Sequence, residues 1–393
     1  MKKERVAPLF YFGMLISSVG SFAYGMSLIA FMLKSGFELW QASLIIGLTR
    51  FVPVVTTALW GHLTDVLPAR KTVAVAEGIA GLTSAALLLI WSDANTNYPL
   101  LVVVCILRSI VVSFQTGSRG KITKLLSDDS YKANSRNAIW LNKATQGATL
   151  FGGLVAWIII KHFTLQTAIV VDAVTFIING GIAFMIPDFE TKTSADATEK
   201  TSWIQKFRDF FNFNSRAAML DAVLALSMMG TMAFMARMAG NDQSWTGLYL
   251  ASFGLAVWIS GYLERGITSN FSTLPYWITL SGSFVVLGLL KGPGPLTLFI
   301  FFLKDMSYWI IYHRISTHIQ IDTPSNKMGS VISARMAIMV TILAVGEILV
   351  GAWSHVVPIA FECFGRGFIA IFVGGILLIT GYRKAVLNDR PAL

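Results

Sequence analysis

Twelve apolar stretches, each about as long as a bilayer is thick, leave this chain little freedom in what it folds into. A helix rises 1.5 Å per residue, so about 20 apolar residues cross ~30 Å of hydrocarbon. The stretches lie near residues 8–33, 41–63, 72–91, 99–118, 138–160, 166–186, 217–239, 248–264, 274–290, 295–313, 330–353 and 357–381. In a chain of 393 residues they leave short connections and no room for a soluble domain. Charged residues make up 13% of the chain, about half the share of a soluble domain. The expected fold class is an all-α membrane protein with twelve transmembrane helices.

The net charge of +10 invites a nucleic-acid reading, and its distribution removes it. Outside the stretches, 21 Lys and Arg fall on the side that holds both termini, against Lys34, Lys161 and Lys291 on the other. The positive-inside rule then places both termini in the cytoplasm, and the basic excess is topological. Met1-Lys2-Lys3-Glu4-Arg5 looks like the start of a signal peptide. The apolar run after it, about 25 residues, is too long for a cleaved one and reads as a retained first helix. Cys105 and Cys363 both fall inside apolar stretches, so no disulfide framework is expected.

The one long polar stretch, Asp188 to Arg216, divides the chain into an N-terminal half (1–187), a linker (188–216) and a C-terminal half (217–393). Within the linker Trp203, Phe207, Phe210 and Phe211 recur at helical spacing among Lys206, Arg208 and Asp209. That pattern predicts an amphipathic helix lying along the cytoplasmic membrane surface. An internal repeat supports two six-helix bundles. Arg136, Ala138, Ile139, Gly147 and Gly152 return 199 residues later as Arg335, Ala337, Ile338, Gly346 and Gly351. Parallel six-helix repeats are the design of one large transporter class, with the substrate site near the midplane.

The segment Gly61-His62-Leu63-Thr64-Asp65-Val66-Leu67-Pro68-Ala69-Arg70-Lys71 resembles the signature loop between helices two and three of the major facilitator superfamily. Gly61, Leu63, Asp65, Arg70 and Lys71 match its pattern. Val66 and Pro68 depart from it, and one residue is extra. Gly261-Tyr262-Leu263-Glu264-Arg265 looks like a shortened second copy. Gly147 to Gly153 is similar to the antiporter signature but lacks its proline. Arg119-Gly120 through Arg136-Asn137-Ala138 is most similar to an efflux branch that includes siderophore exporters and macrolide pumps. The resemblance implies the major facilitator fold, alternating access and a gating loop formed by Gly61, Asp65, Arg70 and Lys71. Physically, Asp65 follows the carboxyl end of a helix, where the macrodipole disfavours an anion, so it needs a basic partner.

Ionisable residues inside the stretches are the candidate functional groups, since each costs roughly 2.5–3.5 kcal/mol on insertion scales. By the helical rise Arg50, Arg108, Lys304 and Asp305 lie about 14 Å deep, and Arg366 about 12 Å. Lys143, Arg335, Asp172, Glu347 and Glu362 read as closer to the boundaries. Four deep cations against one anion predict an anionic or zwitterionic cargo, with Arg50, Arg108, Lys143, Lys304 and Arg366 as its binding residues. The alternatives are local: Arg366 neutralised by Glu362 one turn away, and Arg108 locked to Asp172 or Asp305. Proton coupling falls to Asp305 or Glu347, because helix one carries no acid. Met228, Met232 and Met235 share a helical face that suits either packing or a soft metal. No metal or other cofactor is expected.

No nucleotide-binding, metalloprotease or nucleophile motif occurs, so an enzyme is not expected. The expectation is a monomeric secondary transporter of the inner cell membrane that exports a small anionic or amphipathic metabolite, such as a carboxylate siderophore. Uptake of a similar anion, multidrug efflux and a non-transporting receptor or scaffold are the alternatives. The loop gives the first test. Asp65→Asn is expected to slow or abolish transport in vesicles while expression and insertion stay intact, and wild-type rates would make the loop a passive turn.

Overall fold

The computed structural model describes residues 3–66, 68–91, 97–126, 131–186, 203–266, 273–290, 292–324 and 327–374. These are almost entirely helical. The first six helices are α1 (Lys3–Lys34), α2 (Leu39–Val66), α3 (Ala69–Ile90), α4 (Tyr98–Leu126), α5 (Tyr131–His162) and α6 (Leu165–Met185). The next three are α7 (Trp203–Ser227), α8 (Thr231–Ala239) and α9 (Trp245–Gly266). The last are α10 (Leu274–Leu289), α11 (Pro295–Asp322), α12 (Met328–Trp353) and α13 (Ile359–Phe368), which continues as a π-helical turn, Ile369–Gly374. Among the described residues nine helical segments are long and apolar enough to span a membrane, with Leu274–Leu289 a shorter one. The other two stretches read from the sequence correspond to α11, which carries Lys304 and Asp305, and to α13 with its π turn. The chain is an all-α membrane protein.

The helices cluster into two compact units. Unit 1 comprises Met1–Ala195 with Met232–Leu255, and unit 2 comprises Asp196–Thr231 with Ala256–Leu393. This division differs from the linker boundary read in the sequence: α8 and the first half of α9 group with unit 1, and that half of α9 packs against α5. Small residues make that packing close. A Cβ at Gly153 would strike the backbone of Gly247 and Ala251, and one at Gly254 would strike the backbone of Leu150. Such residues let helix backbones approach where lipid offers no hydrophobic drive to associate.

Within unit 1, α2 and α4 are joined by polar bonds. Pro53 has no N–H to offer the carbonyl one turn earlier, that of Thr49. The Ser109 hydroxyl of α4 donates to that carbonyl instead, at 2.5 Å. Thr56 and Ser113 hydrogen-bond at 2.8 Å further along the same pair of helices.

In unit 2 the linker helix and the first half of the seventh stretch form one element, α7, interrupted at Asn214 by non-helical backbone (φ −136°, ψ 33°). The Asn214 side chain donates to Thr323 Oγ1 at 2.9 Å. Phe210 is buried, and Asp209 beside it pairs with Lys327 at 3.3 Å. The sequence pattern assigned Phe210 to the membrane surface; instead it packs into the protein, while Ile204 and Phe211 are exposed. A second break ends α7 at Ser227. The chain turns through Met228 to Gly230, and Gly230 has φ +64°, where a side chain is strained. The break corrects the methionine reading, since Met228 lies in the turn while Met232 and Met235 lie on α8, so the three do not share one helical face.

The glycine contacts give a stability test. Gly153→Ala is expected to lower the unfolding temperature of the detergent-purified protein. Gly25→Ala, where a Cβ meets nothing within 4 Å, is expected to leave it unchanged or raise it.

Candidate functional site

The buried charges of unit 1 form two layers, each built by α1, α3, α4 and α6. In the first, Arg108 of α4 donates to Asp172 Oδ2 of α6 from Nε at 3.1 Å and from Nη2 at 2.6 Å. Ser84 of α3 donates to the same oxygen at 2.7 Å, and Ser21 of α1 to Asp172 Oδ1 at 3.1 Å. The Arg108 guanidinium also lies over the rings of Tyr24, at 4.5 Å, and Phe176, at 5.5 Å. Asp172 is wholly buried, whereas 13% of the Arg108 side chain is exposed. Its Nη1 makes no hydrogen bond to any described residue, so one edge of the guanidinium stays open.

The second layer lies two helical turns along α3 and α6 and three along α4. Arg119 donates to Glu77 Oε1 from Nε at 3.0 Å and from Nη2 at 2.7 Å. Asn179 Nδ2 donates to that oxygen at 2.6 Å, and Ser17 donates to Glu77 Oε2 at 3.2 Å. The helices exchange roles between layers: the acid sits on α6 in one and on α3 in the other, with a neutral polar residue opposite. Spacings of seven and eleven residues return to the same helix face, which aligns the layers. Among the described residues Gly13 and Gly20 of α1 meet Asn179 and Thr175, so α1 closes on α6 beside both layers.

In unit 2 the charges gather where α7 ends. Arg366 of α13 donates to the Ser227 carbonyl, the last of α7, at 3.1 Å and pairs with Glu362 at 2.5 Å. A guanidinium there meets the negative end of the α7 dipole. Lys304 of α11 pairs with Asp305 at 2.5 Å and reaches the Met228 sulfur at 3.8 Å, between Phe284 and Phe301. Asp305 Oδ2 is buried without a hydrogen bond to a described residue. Further along, Arg335 grips Asp221 at 2.5 and 2.9 Å, donates to Ser316 at 2.7 Å, and lies 4.4 Å over the Tyr312 ring.

These contacts revise the charge count. Of the four deep cations, Arg108, Lys304 and Arg366 each carry a carboxylate within 2.6 Å, as does Arg335 nearer the boundary, so the excess of deep cations shrinks. The sequence reading set Asp172 near a boundary and passed over Glu77 altogether. Glu77 was visible as an acid inside the third apolar stretch, but its partner Arg119 falls just outside the fourth. Arg50 is partly exposed on α2. Glu347 is buried on α12. The side chains of Lys143 and Asp65, and Gly61 with them, lie outside the described ones. Of the loop, Arg70 donates to the Ile186 carbonyl at the end of α6 at 3.1 Å, and Lys71 is exposed.

The sequence matches the Major Facilitator Superfamily over residues 10–342. The chain belongs to that superfamily. It is a multi-pass membrane transporter of the major facilitator fold. Solved structures agree in fold. A POT family transporter in complex with a thioalcohol-conjugated peptide aligns with TM-score 0.74 at 9% identity, over 96% of each chain. A bacterial homologue of the human lysosomal transporter Spinster, inward-facing and unoccupied, gives 0.73 at 11% identity, over 100% of this chain and 99% of that one. The human organic anion transporter MFSD10 gives 0.64 at 13%, over 96% and 100%. Comparison with curated proteins gives no sequence match.

Breaking a buried pair strands a charge and costs about 3–5 kcal/mol, while replacing both members by apolar residues is often neutral. Asp172→Leu in this major facilitator chain is therefore expected to destabilise strongly, and Arg108→Leu added to it to restore much of the loss. Thermal unfolding in detergent reads both.

Proposed function

We propose that the protein is a secondary transporter that exports a small anionic or amphipathic metabolite by alternating access, driven by the proton gradient, from an inner membrane with both termini in the cytoplasm. The observation that carries the anionic cargo is the open edge of Arg108. Asp172 occupies Nε and Nη2, the Tyr24 ring supports the guanidinium plane, and Nη1 is left to donate. Arginine keeps its charge at any working pH, and its planar fork suits a carboxylate. Because Asp172 already balances the charge, the site favours a cargo carboxylate by directed hydrogen bonds more than by net attraction. Zwitterionic and amphipathic cargo fit the same edge, with Tyr24 and Phe176 offering apolar faces.

The 21-to-3 bias of Lys and Arg supports the orientation. MFSD10, which shares the fold, is named an organic anion transporter, in keeping with this cargo class. Lys304 and Arg366, grouped around the break after α7, are proposed as the basic groups of unit 2 that meet the cargo, since discontinuous helices mark transporter sites.

The test uses the full chain in lipid nanodiscs and a panel of mono-, di- and tricarboxylates, including citrate. Arg108→Lys retains a positive partner for Asp172 but lacks the fork. It is expected to weaken carboxylate binding about ten-fold or more, and Arg108→Ala by more than about thirty-fold, on the order of 2 kcal/mol for a lost partner of a desolvated charge. A folded Arg108→Lys protein that binds carboxylates like the wild type would overturn the anionic reading.

A further inference from the structure

The second polar layer of unit 1 has no part in holding the proposed cargo, yet it is as fully built as the first. Glu77 is wholly buried, while 12% of the Arg119 side chain is exposed. The two partners are therefore unequal in where they can go. Arginine has a long flexible stem and can carry its charge toward water, and it stays charged when it arrives. Glu77 is short, lies wholly buried within an apolar helix, and cannot follow. An ionised carboxylate left behind in that setting is less favourable than its protonated form.

The neighbours of Glu77 already supply the hydrogen bonds that a protonated carboxyl needs. Asn179 Nδ2, at 2.6 Å from Oε1, serves a carbonyl oxygen as well as a carboxylate. Ser17 Oγ, at 3.2 Å from Oε2, is a hydroxyl and can accept as readily as donate. A proton on Oε2 then points at Ser17, and the acid keeps both of its bonds without Arg119. Asn179 is also set by the present charge. Its Oδ1 is buried with no hydrogen bond to a described residue, because the opposite orientation would press that oxygen on the ionised carboxylate. Gly13 of α1 makes the room for it, since a Cβ there would overlap Oδ1.

Among the described residues the other charged groups are placed so that Arg119 decides the state of Glu77. From α4 Arg119 faces it, from α6 Asn179, and from α1 Ser17. On α3 itself Arg70 is turned to the Ile186 carbonyl and Lys71 is exposed. Arg108 and Asp172 belong to the neighbouring layer and satisfy one another. Arg108 is moreover held over two rings.

We propose that Glu77 is a proton-binding site of the carrier, ionised while Arg119 is seated on it and protonated from water when Arg119 withdraws. Ser17 then accepts the acid hydrogen, and Asn179 donates to the carbonyl oxygen. The O–H bond forms on Oε2, the proton comes from bulk water, and return of Arg119 expels it by the same route. The proposal rests on the transporter reading for its purpose and adds to it the group that couples to the proton gradient.

Infrared spectroscopy of the full chain in nanodiscs tests it without any cargo, so failure here is separate from failure of the anionic reading. Arg119→Gln is expected to show, near neutral pH, the carbonyl band of a protonated carboxyl, and this band is expected to vanish when Glu77→Gln is added. Ser17→Ala in the Arg119→Gln background is expected to shift the band, because its acceptor is gone; a purely structural Ser17 would not move it. Should Arg119→Gln fail to fold, acid-minus-alkaline spectra of the wild type and of Glu77→Gln, a neutral isostere, give the same answer. A carboxyl band present in the wild type and missing in Glu77→Gln supports the site. Spectra in which removing Glu77 abolishes no protonated-carboxyl band would overturn it.

Discussion

The described ion pairs of this protein are arranged around one constraint: a charge placed in hydrocarbon must bring its partner with it. Taking an ion out of water costs several kcal/mol even after relaxation, and only a close, well-bonded counter-ion offsets it. Each described ion pair deep in the helices sets a base against an acid, and in unit 1 hydroxyls and an amide bond the carboxylate oxygens as well. In unit 1 the partners come from different helices, Arg108 with Asp172 and Arg119 with Glu77. Meeting this requirement also fastens α4 to α6 and to α3. The close approach of α1 past Gly13 and Gly20 then seals both layers on the remaining side.

Unit 2 meets the same constraint in another way. Lys304 pairs with its sequence neighbour, and Arg366 with Glu362 one turn back on the same helix. Such pairs are neutral but tie no helices together, and the donors that remain are free to reach elsewhere. Arg366 uses one on the buried carbonyl end of α7, and Lys304 turns to Met228 beside the break. Of the three described pairs deep in this unit only Arg335 with Asp221 joins two helices. Unit 1 is thus cross-braced by its charges, and in unit 2 they cluster at an interrupted helix.

What could be read in the sequence followed from chemistry that acts along the chain. Spans of apolar residues, the Lys and Arg asymmetry and the signature around Gly61 and Asp65 are local, and they led to the fold and the superfamily. The i,i+4 pairing of Glu362 with Arg366 was legible for the same reason. Partners distant in sequence were not. Asp172 looked peripheral when counted along its own helix, and only the fold sets it 2.6 Å from Arg108. The shared methionine face failed because periodicity assumes an unbroken helix, and Gly230 breaks it. Phe210 was assigned to lipid by its spacing, whereas Asp209 and Lys327 anchor that turn and bury the ring. The place of early α9 beside α5 depends on glycines at 153, 247 and 254, whose effect appears only when two backbones meet.

The pairing of deep bases with acids has an electrical consequence. An ion pair that moves as a unit carries no net charge through the membrane field, so Arg108 with Asp172, or Lys304 with Asp305, contributes no gating charge. The membrane voltage then acts on whatever rides through the protein and, in the protein itself, on a charge that moves apart from its partner, as Arg119 is proposed to do. Each elementary charge moved across 100 mV is worth about 2.3 kcal/mol. With the interior negative, that work favours an anion leaving the cell and opposes its entry, while any proton moving inward is drawn by the same field. Transport by such a scaffold is electrogenic to the extent that its passengers are charged, and the direction that the voltage favours is set by their sum.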